Sequence, residues 1–180
     1  MEFTYDAYEN LISKLEKYGY QFASYHDYKA FEKCVIMRHD IDYSLQKSVE
    51  LAEFEQQLGI KSTYFVLLSS PFYNIVSKDA ITKIKKIQNA GHEIGLHFDE
   101  LNYDESEYDE MGGVEEAIYR EIDLMGSILD CDIRSVSMHR PSPKTLQANY
   151  ALGMIVNSYG KEFFEGFKYI SDSRRRWREN

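Results

Sequence analysis

The sequence predicts an α/β fold in which parallel strands are joined by helical crossovers. Short apolar runs alternate along the chain with longer segments whose apolar residues recur at helical spacing. Polar clusters follow several of the short runs, and the chemistry of parallel α/β folds lies at such strand ends. Because the repeats are too few for a closed eight-fold barrel, we predict an incomplete or distorted (β/α) barrel with an N-terminal helical extension.

Size and charge limit the possible partners. The 180 residues suit one domain with a sizeable core. The formal net charge of -9 argues against a general phosphate-backbone binder, so we expect no nucleic-acid partner. The sequence opens with no signal-peptide pattern, and no apolar run approaches the ~20 residues of a membrane helix. We therefore expect no membrane span and a cytoplasmic location.

The helical extension is predicted for residues 1–33, and the main domain for residues 34–180. Residues 5–18 carry apolar positions at helical spacing, and Gly19 stops that helix. The apolar run 34–37 predicts a buried strand whose carboxyl end turns polar.

The main domain then alternates between helices and strands. Ser44 is the expected N-cap of a helix that ends just before Gly59. The further predicted elements are a strand at 62–68, a helix at 79–90, a strand at 93–97, a helix at 114–129, a strand at 133–138, a helix at 144–152, and candidate strands at 155–158 and 169–171. The acidic segment between His97 and Gly113 favours a solvated loop, with a lid over the site as the alternative.

Asp40 and Asp42 form the first chemical feature. Residues i and i+2 of a strand point to the same face, so the two carboxylates share one small space. A cation between them relieves their repulsion, with one carboxylate as its ligand and the other as a base on water. On this pair alone, a turn that caps the next helix is the better explanation.

Two further strand ends carry histidines. His97 ends its strand and is a candidate ligand, whereas His92, five residues earlier, faces the other way and suits a structural hydrogen bond. His139, Arg140 and Pro141 follow the 133–138 strand. Imidazole suits zinc, and an Arg can orient a carboxylate, although a surface loop explains this string equally well by itself.

Three strings taken together resemble the motifs of the polysaccharide deacetylases, the NodB homology superfamily that includes carbohydrate esterase family 4. The resemblance runs from about residue 34 onward. The strings are Arg38-His39-Asp40-Ile41-Asp42, Gly91-His92-Glu93-Ile94-Gly95-Leu96-His97 and His139-Arg140-Pro141-Ser142. A fourth match, to a later Asp and Trp motif, is Ser171-Asp172-Ser173 with Trp177.

The resemblance implies a role for each of these strings. Asp40 takes the place of the catalytic base, Asp42 and His97 those of metal ligands, and Arg140 that of the group that orients the base. The implied cofactor is a divalent metal, with zinc preferred. The remaining motif residues are assigned to substrate binding: Arg38, His39, Pro141, Asp172 and Trp177.

The chain departs from the family pattern at two points. Leu101 stands where the family has its second metal-binding His, so His139 is our first choice of third ligand and Asp99 our second. No His follows His139, whereas the family uses a late His as general acid. Either the chain is C-terminally truncated, or His139 or His39 fills that role, or the protein does not catalyse.

The function implied is a metal-dependent hydrolase that removes an acyl group, acetyl first of all, from an amino sugar or a polysaccharide precursor. One alternative keeps the fold and acts on a small cyclic amide or imide. Another is a non-catalytic carbohydrate-binding member of the fold, which Leu101 and the missing His favour. The paired Asp40 and Asp42 argue against that last alternative, because a pure binder needs no such pair.

Overall fold

The structure is a computed structural model that describes residues 4–170. The helices are α1 (Tyr5–Lys17), α2 (Leu45–Gln57), α3 (Lys78–Asn89), α4 (Glu105–Met111), α5 (Val114–Leu129), α6 (Pro143–Ala148) and α7 (Lys161–Gly166). The strands are β1 (Gln21–Ala23), β2 (Cys34–Ile36), β3 (Arg38–Ile41), β4 (Thr63–Val66), β5 (Glu93–Phe98), β6 (Ser135–Met138) and β7 (Val156–Asn157). Two 3-10 turns span Tyr28–Ala30 and Glu100–Asn102.

The main sheet has five parallel strands in the order β3-β4-β5-β6-β7. Each strand neighbours the next strand along the chain, which is the order of a (β/α) barrel rather than of a doubly wound sheet. Within residues 4–170 no strand joins β7 back to β3, so the barrel is incomplete. The predicted α/β class and open barrel are confirmed.

The alternation of side chains divides the sheet into two faces. The outer face packs against the helices through a continuous apolar core to which β4 contributes Tyr64 and Val66, and β5 contributes Leu96 and Phe98. The inner face carries the polar residues and Phe65. Asp40 and His97 belong to this inner face, so candidate site residues whose side chains point the same way lie inside the open barrel.

Two predictions of local structure need correction. The run 34–37 does not continue into the site, because β2 pairs with β1 in a separate two-stranded sheet and only β3 joins the main sheet. The acidic segment is not a plain loop. It contains the second 3-10 turn and α4, which Asp104 and Glu107 begin with a reciprocal capping box.

The helix predicted at 144–152 is shorter, because α6 ends at Ala148 and Asn149 is left-handed. Ser44 caps α2 through a 3.2 Å hydrogen bond from the Lys47 amide, as predicted. The predicted strand at 169–171 is not formed at residues 169 and 170, and residue 171 lies outside the described part. No helix of residues 4–170 has the length and apolar character needed to cross a membrane.

The N-terminal extension is attached to the barrel through Glu55. This α2 carboxylate is fully buried and accepts hydrogen bonds from Tyr8 of α1, from Tyr64 at 2.7 Å and from Ser62 at 2.9 Å. His39 Nε2 lies 2.8 Å from the same carboxylate. Burial alone would raise the pKa of Glu55, but these hydrogen bonds outweigh it and lower the pKa to about 2.

Gly95 lies at the tightest point of the barrel interior. A Cβ atom here would lie 2.6 Å from two ring carbons of Phe65 and 2.6 Å from Ser135 Oγ. Phe65 and Gly95 are paired across β4 and β5, so the ring fills the space that a larger residue on β5 would need. Only glycine fits without moving the ring.

We expect Gly95→Ala to lower the free energy of unfolding by about 1–3 kcal/mol, because it overpacks a filled interior. Urea unfolding followed by circular dichroism measures this loss. Gly166→Ala is the control, because a Cβ atom at this position would meet no atom within 4 Å and the backbone is helical. Equal stability of the two variants would contradict the packing argument.

A second prediction concerns Glu55 and pH. Because its folded pKa of about 2 lies below the ordinary 4.5, its stabilisation is complete above pH 4.5 and is lost as the pH falls toward 2. We expect Glu55→Gln to be less stable than the native chain at pH 7 by about 1.5–3 kcal/mol, a difference that shrinks in that acidic window. Urea titrations across pH test this. Glu53→Gln, at an exposed position of α2, is the matched control.

Candidate metal centre

Three side chains converge at the carboxyl ends of β3, β5 and β6. Asp42 Oδ1 lies 3.4 Å from His97 Nε2 and 3.2 Å from His139 Nδ1, and the two imidazole nitrogens are 3.1 Å apart. Asp42 follows β3, His97 lies within β5, and His139 follows β6. The fold thus brings together the two ligands expected from the motifs and the first choice for the third.

The three ligand atoms have the spacing that a tetrahedral ion requires. For Zn²⁺ at about 2.05 Å from each ligand, tetrahedral angles place neighbouring ligand atoms about 3.3 Å apart. The observed separations of 3.1–3.4 Å match this edge length. Within residues 4–170 the buried Asp42 Oδ1 has no hydrogen-bond donor of good geometry, which leaves it available as a ligand atom. The donor set therefore fits a divalent metal ion.

The protonation states also suit metal binding. The neighbouring imidazole of His97, whose Nε2 lies 3.4 Å from Asp42 Oδ1, lowers the pKa of Asp42 and so keeps the carboxyl ionised. Burial lowers the pKa of His139, and the neighbouring His97 lowers it further. His139 is therefore neutral near pH 7, with a lone pair available to an ion.

Asp40 lies beside the cluster but is held by Arg38. Its Oδ2 atom is 4.0 Å from His97 Nε2, so it adjoins the cluster without belonging to it. Arg38 Nη2 donates to both carboxylate oxygens of Asp40, at 2.5 and 2.7 Å. The same guanidinium donates to Ser137 of β6 and to Ser158, which follows β7.

The contact expected between Arg140 and Asp40 is not present. Arg140 Nη2 instead donates to Asp99 Oδ2 at 2.6 Å, and the Asp40 carboxylate is paired with Arg38. Residues i and i+2 of β3 share a face, so Arg38 reaches Asp40 directly, whereas Asp99 intercepts Arg140. The sequence contained this signal in the Arg-x-Asp spacing, although we assigned Arg38 to substrate binding.

His39 and His92 lie away from the centre. His39 is on the outer face of β3 and contacts Glu55, so the predicted roles in substrate binding or as general acid do not fit its position. His92 Nδ1 accepts from the Ser62 amide at 3.1 Å, so its Nε2 must donate to the Ala52 carbonyl at 2.9 Å. His92 is a hydrogen-bonded structural histidine, as the sequence predicted.

The rim beside His139 is ordered by Glu100. Its carboxylate accepts from the Ser142 amide at 2.7 Å and from the Thr145 hydroxyl. These contacts fix the start of α6, and with it the segment holding Pro141. The acidic segment therefore helps to shape the site, with Asp99 and Glu100 both turned inward. Asp172 and Trp177, assigned to substrate binding, lie outside the described residues.

A cavity of about 440 Å³ opens at the other end of the sheet. It is lined by the amino ends of the strands, including Glu93, which accepts from Thr63 and Ser135 and contacts His26. The grouping of potential metal ligands found among residues 4–170 lies at the opposite, carboxyl end. The cavity is thus separate from the candidate metal centre.

No protein-family model matches the chain, and no curated protein matches it significantly in sequence. Solved structures do match its fold. The Streptococcus pyogenes deacetylase PplD in complex with acetate superposes with a TM-score of 0.57 at 17% identity, over 79% of this chain and 66% of that one. IcaB from Ammonifex degensii superposes with a TM-score of 0.54 at 16% identity, over 79% of this chain and 70% of that one. A family 4 carbohydrate esterase from Bacillus anthracis superposes with a TM-score of 0.50 at 16% identity, over 87% of this chain and 70% of that one.

These similarities show the fold. The chain has the architecture of the carbohydrate esterase and deacetylase structures, which confirms the predicted type of incomplete barrel. The matched region spans about two thirds of the length of those structures.

We expect zinc binding to depend on all three side chains of the cluster. Loss of a residue that only hydrogen-bonds to a ligand weakens metal affinity by roughly 10- to 100-fold. Asp42→Ala, His97→Ala and His139→Ala each remove a ligand atom, so each should weaken zinc affinity by more than that. Calorimetric titration measures this, with circular dichroism to confirm folding. His26→Ala is the control, because it removes an imidazole at the far end of the sheet. Unchanged affinity in any cluster variant would remove that residue from the ligand set.

Proposed function

We propose that this protein is a metal-dependent hydrolase that removes an N-acetyl group from an amino sugar within a carbohydrate. The observation that supports this most strongly is the convergence of Asp42, His97 and His139 beside the clamped carboxylate of Asp40. The polysaccharide-deacetylase fold agrees with it. A site with three ligands and a separate carboxylate suits hydrolysis better than a purely structural ion, which takes a fourth protein ligand.

In this proposal Asp42, His97 and His139 hold the divalent ion. When bound there, the ion supplies Lewis-acid polarisation of the acyl carbonyl and lowers the pKa of water. The chain supplies the proton transfers. Zinc is the preferred ion because the donors are one carboxylate oxygen and two imidazole nitrogens.

Asp40 is the proposed general base. Its carboxylate adjoins the ligand cluster at 4.0 Å from His97 Nε2, within reach of a water molecule at that centre. It accepts one proton from the water as the water oxygen bonds to the acyl carbon. The two hydrogen bonds from Arg38 fix the direction of the carboxylate.

The same Asp40 returns the proton to the leaving nitrogen. The carbon–nitrogen bond then breaks, and the products are acetate and the free amine of the sugar. His139 is held in the ligand cluster and His39 faces Glu55, so neither histidine is placed to serve as the acid. A single carboxylate acting as base and then as acid accounts for both transfers without a further histidine.

Arg140 has a different role in this proposal. Its guanidinium is more than half exposed and pairs with the buried Asp99. It thereby holds the segment after β5 against the His139 loop, and much of the guanidinium stays exposed. We propose that Arg140 helps to shape the substrate groove, while Arg38 orients the base.

We expect Asp40→Asn to abolish acetate release while zinc affinity and fold remain native, because the amide cannot accept the proton. Release of acetate from N-acetylglucosamine oligomers, followed by an enzyme-coupled assay, measures this. A loss of at least about 100-fold is expected from removing a general base. Asp123→Asn is the control, since this exposed carboxylate of α5 lies outside the site.

The outcomes distinguish the alternatives. A native-level rate in Asp40→Asn would refute the proposed base. Hydrolysis of small cyclic amides with no release of acetate from sugars would instead identify the amidohydrolase alternative. Zinc binding without either hydrolysis would favour a non-catalytic member of the fold.

A further inference from the structure

Two aromatic side chains stand exposed next to the metal centre. Tyr43 and Phe72 are 68% and 59% exposed, yet their rings contact each other with centroids 4.6 Å apart and planes tilted by 59°. Exposing two large rings to water is unfavourable, because each ring would stabilise the fold if it were buried in the core. Such a pair differs from singly scattered surface apolar residues, which need no explanation.

The pair lies at the same end of the barrel as the ligand cluster. Tyr43 directly follows Asp42, and consecutive Cα atoms are about 3.8 Å apart. Phe72 precedes Tyr73, whose hydroxyl donates to the Ile41 carbonyl at 2.8 Å and accepts from the Leu67 amide at 3.0 Å. These two hydrogen bonds attach the loop after β4 to the end of β3. The rings are therefore held beside the centre by ordered backbone.

The charge of the rim indicates what can lie on these rings. The segment that follows β5, residues 99–110, carries seven carboxylates and no Lys or Arg, namely Asp99, Glu100, Asp104, Glu105, Glu107, Asp109 and Glu110. Asp99 is paired with Arg140, but the five carboxylates of residues 104–110 are exposed, and their field disfavours a phosphate-bearing ligand. An uncharged pyranose, whose axial C–H groups form an apolar face, can pack on the aromatic rings without that cost.

We propose that Tyr43 and Phe72 form a stacking subsite for an uncharged sugar ring that neighbours the reacting amino sugar. This deepens the proposed deacetylation and rests on it for the identity of the reacting unit. The substrate is then an oligosaccharide or polysaccharide rather than a monosaccharide carried on a nucleotide diphosphate. The rings supply affinity for the chain and take no part in proton transfer.

The test compares the native chain with a Tyr43→Ala, Phe72→Ala double variant. The probe is the pentamer of N-acetylglucosamine, and its binding to the zinc-loaded protein is titrated by NMR. Tyr43→Phe keeps the ring and should bind as the native chain does. Tyr18→Ala is the matched control, because Tyr18 is also 68% exposed but ends α1, away from the strand ends.

We expect the double variant to bind the pentamer about tenfold or more weakly, and both controls to bind it normally. The dissociation constant for UDP-N-acetylglucosamine should be weaker than that for the pentamer in the native chain. Equal pentamer affinity of the double variant and the native chain would overturn the proposal. So would failure of the native chain to bind the pentamer, or tighter binding of the nucleotide sugar independent of the rings.

Acetate release is measured in the same samples, so that the two proposals can fail separately. Pentamer binding that depends on the rings, without acetate release, supports the stacking subsite and contradicts the hydrolase. Acetate release with the same KM in the double variant and the native chain supports the hydrolase and overturns the subsite. If both proposals are correct, KM for the pentamer rises in the double variant while kcat changes little.

Discussion

The buried guanidinium of Arg38 is the interaction on which the interior of this barrel depends. The sheet is open between its two edges, β3 and β7, and Arg38 extends from β3 across the interior to Ser137 and Ser158 on the far side. Its planar group lies over the Phe65 ring, with the guanidinium carbon 4.8 Å from the ring centroid. One side chain thus joins strands that no ladder of backbone hydrogen bonds connects within the described residues.

A charge in such a place is stable only with a partner. Burial opposes the charged form of Arg38, but the Asp40 carboxylate outweighs burial and raises the pKa of the guanidinium. Asp40 in turn gains a fixed direction and two strong hydrogen bonds. The same pair therefore satisfies a structural need of the open barrel and holds a carboxylate beside the ligand cluster. Stability and the proposed chemistry depend here on one contact.

The sequence was sufficient for the features that follow from short-range rules. Local periodicity predicts the alternation of strands and helices, and it places Asp40 and Asp42 on one face. Local hydrogen bonding predicts the cap at Ser44. The partners of Arg140 and His39 could not be found this way. Asp99 and Glu55 are distant in sequence from these residues, and only the packing of α2 and of the segment after β5 decides the contacts.

The same limit explains the acidic segment. Its charge density predicted a solvated loop, but Tyr103 donates to the buried Glu121 of α5 at 2.7 Å, and Glu100 holds the start of α6. Burial raises the pKa of Glu121 to about 7, since its hydroxyl partner offsets only part of the lost hydration. These contacts lie between elements, so charge counting cannot detect them.

The position of Leu101 shows how the centre can differ from the family pattern and still present three donors. Leu101 is 64% exposed on the 3-10 turn after β5 and lies outside the ligand cluster. His139, our proposed third ligand, follows the neighbouring strand, where its amide donates to the Phe98 carbonyl at 2.8 Å and extends the β5–β6 pairing by one step. That step places His139 beside His97 on the inner face. In the proposed centre, the donor that the loop after β5 does not supply comes from the end of β6, and the parallel register of the two strands gives His139 that position.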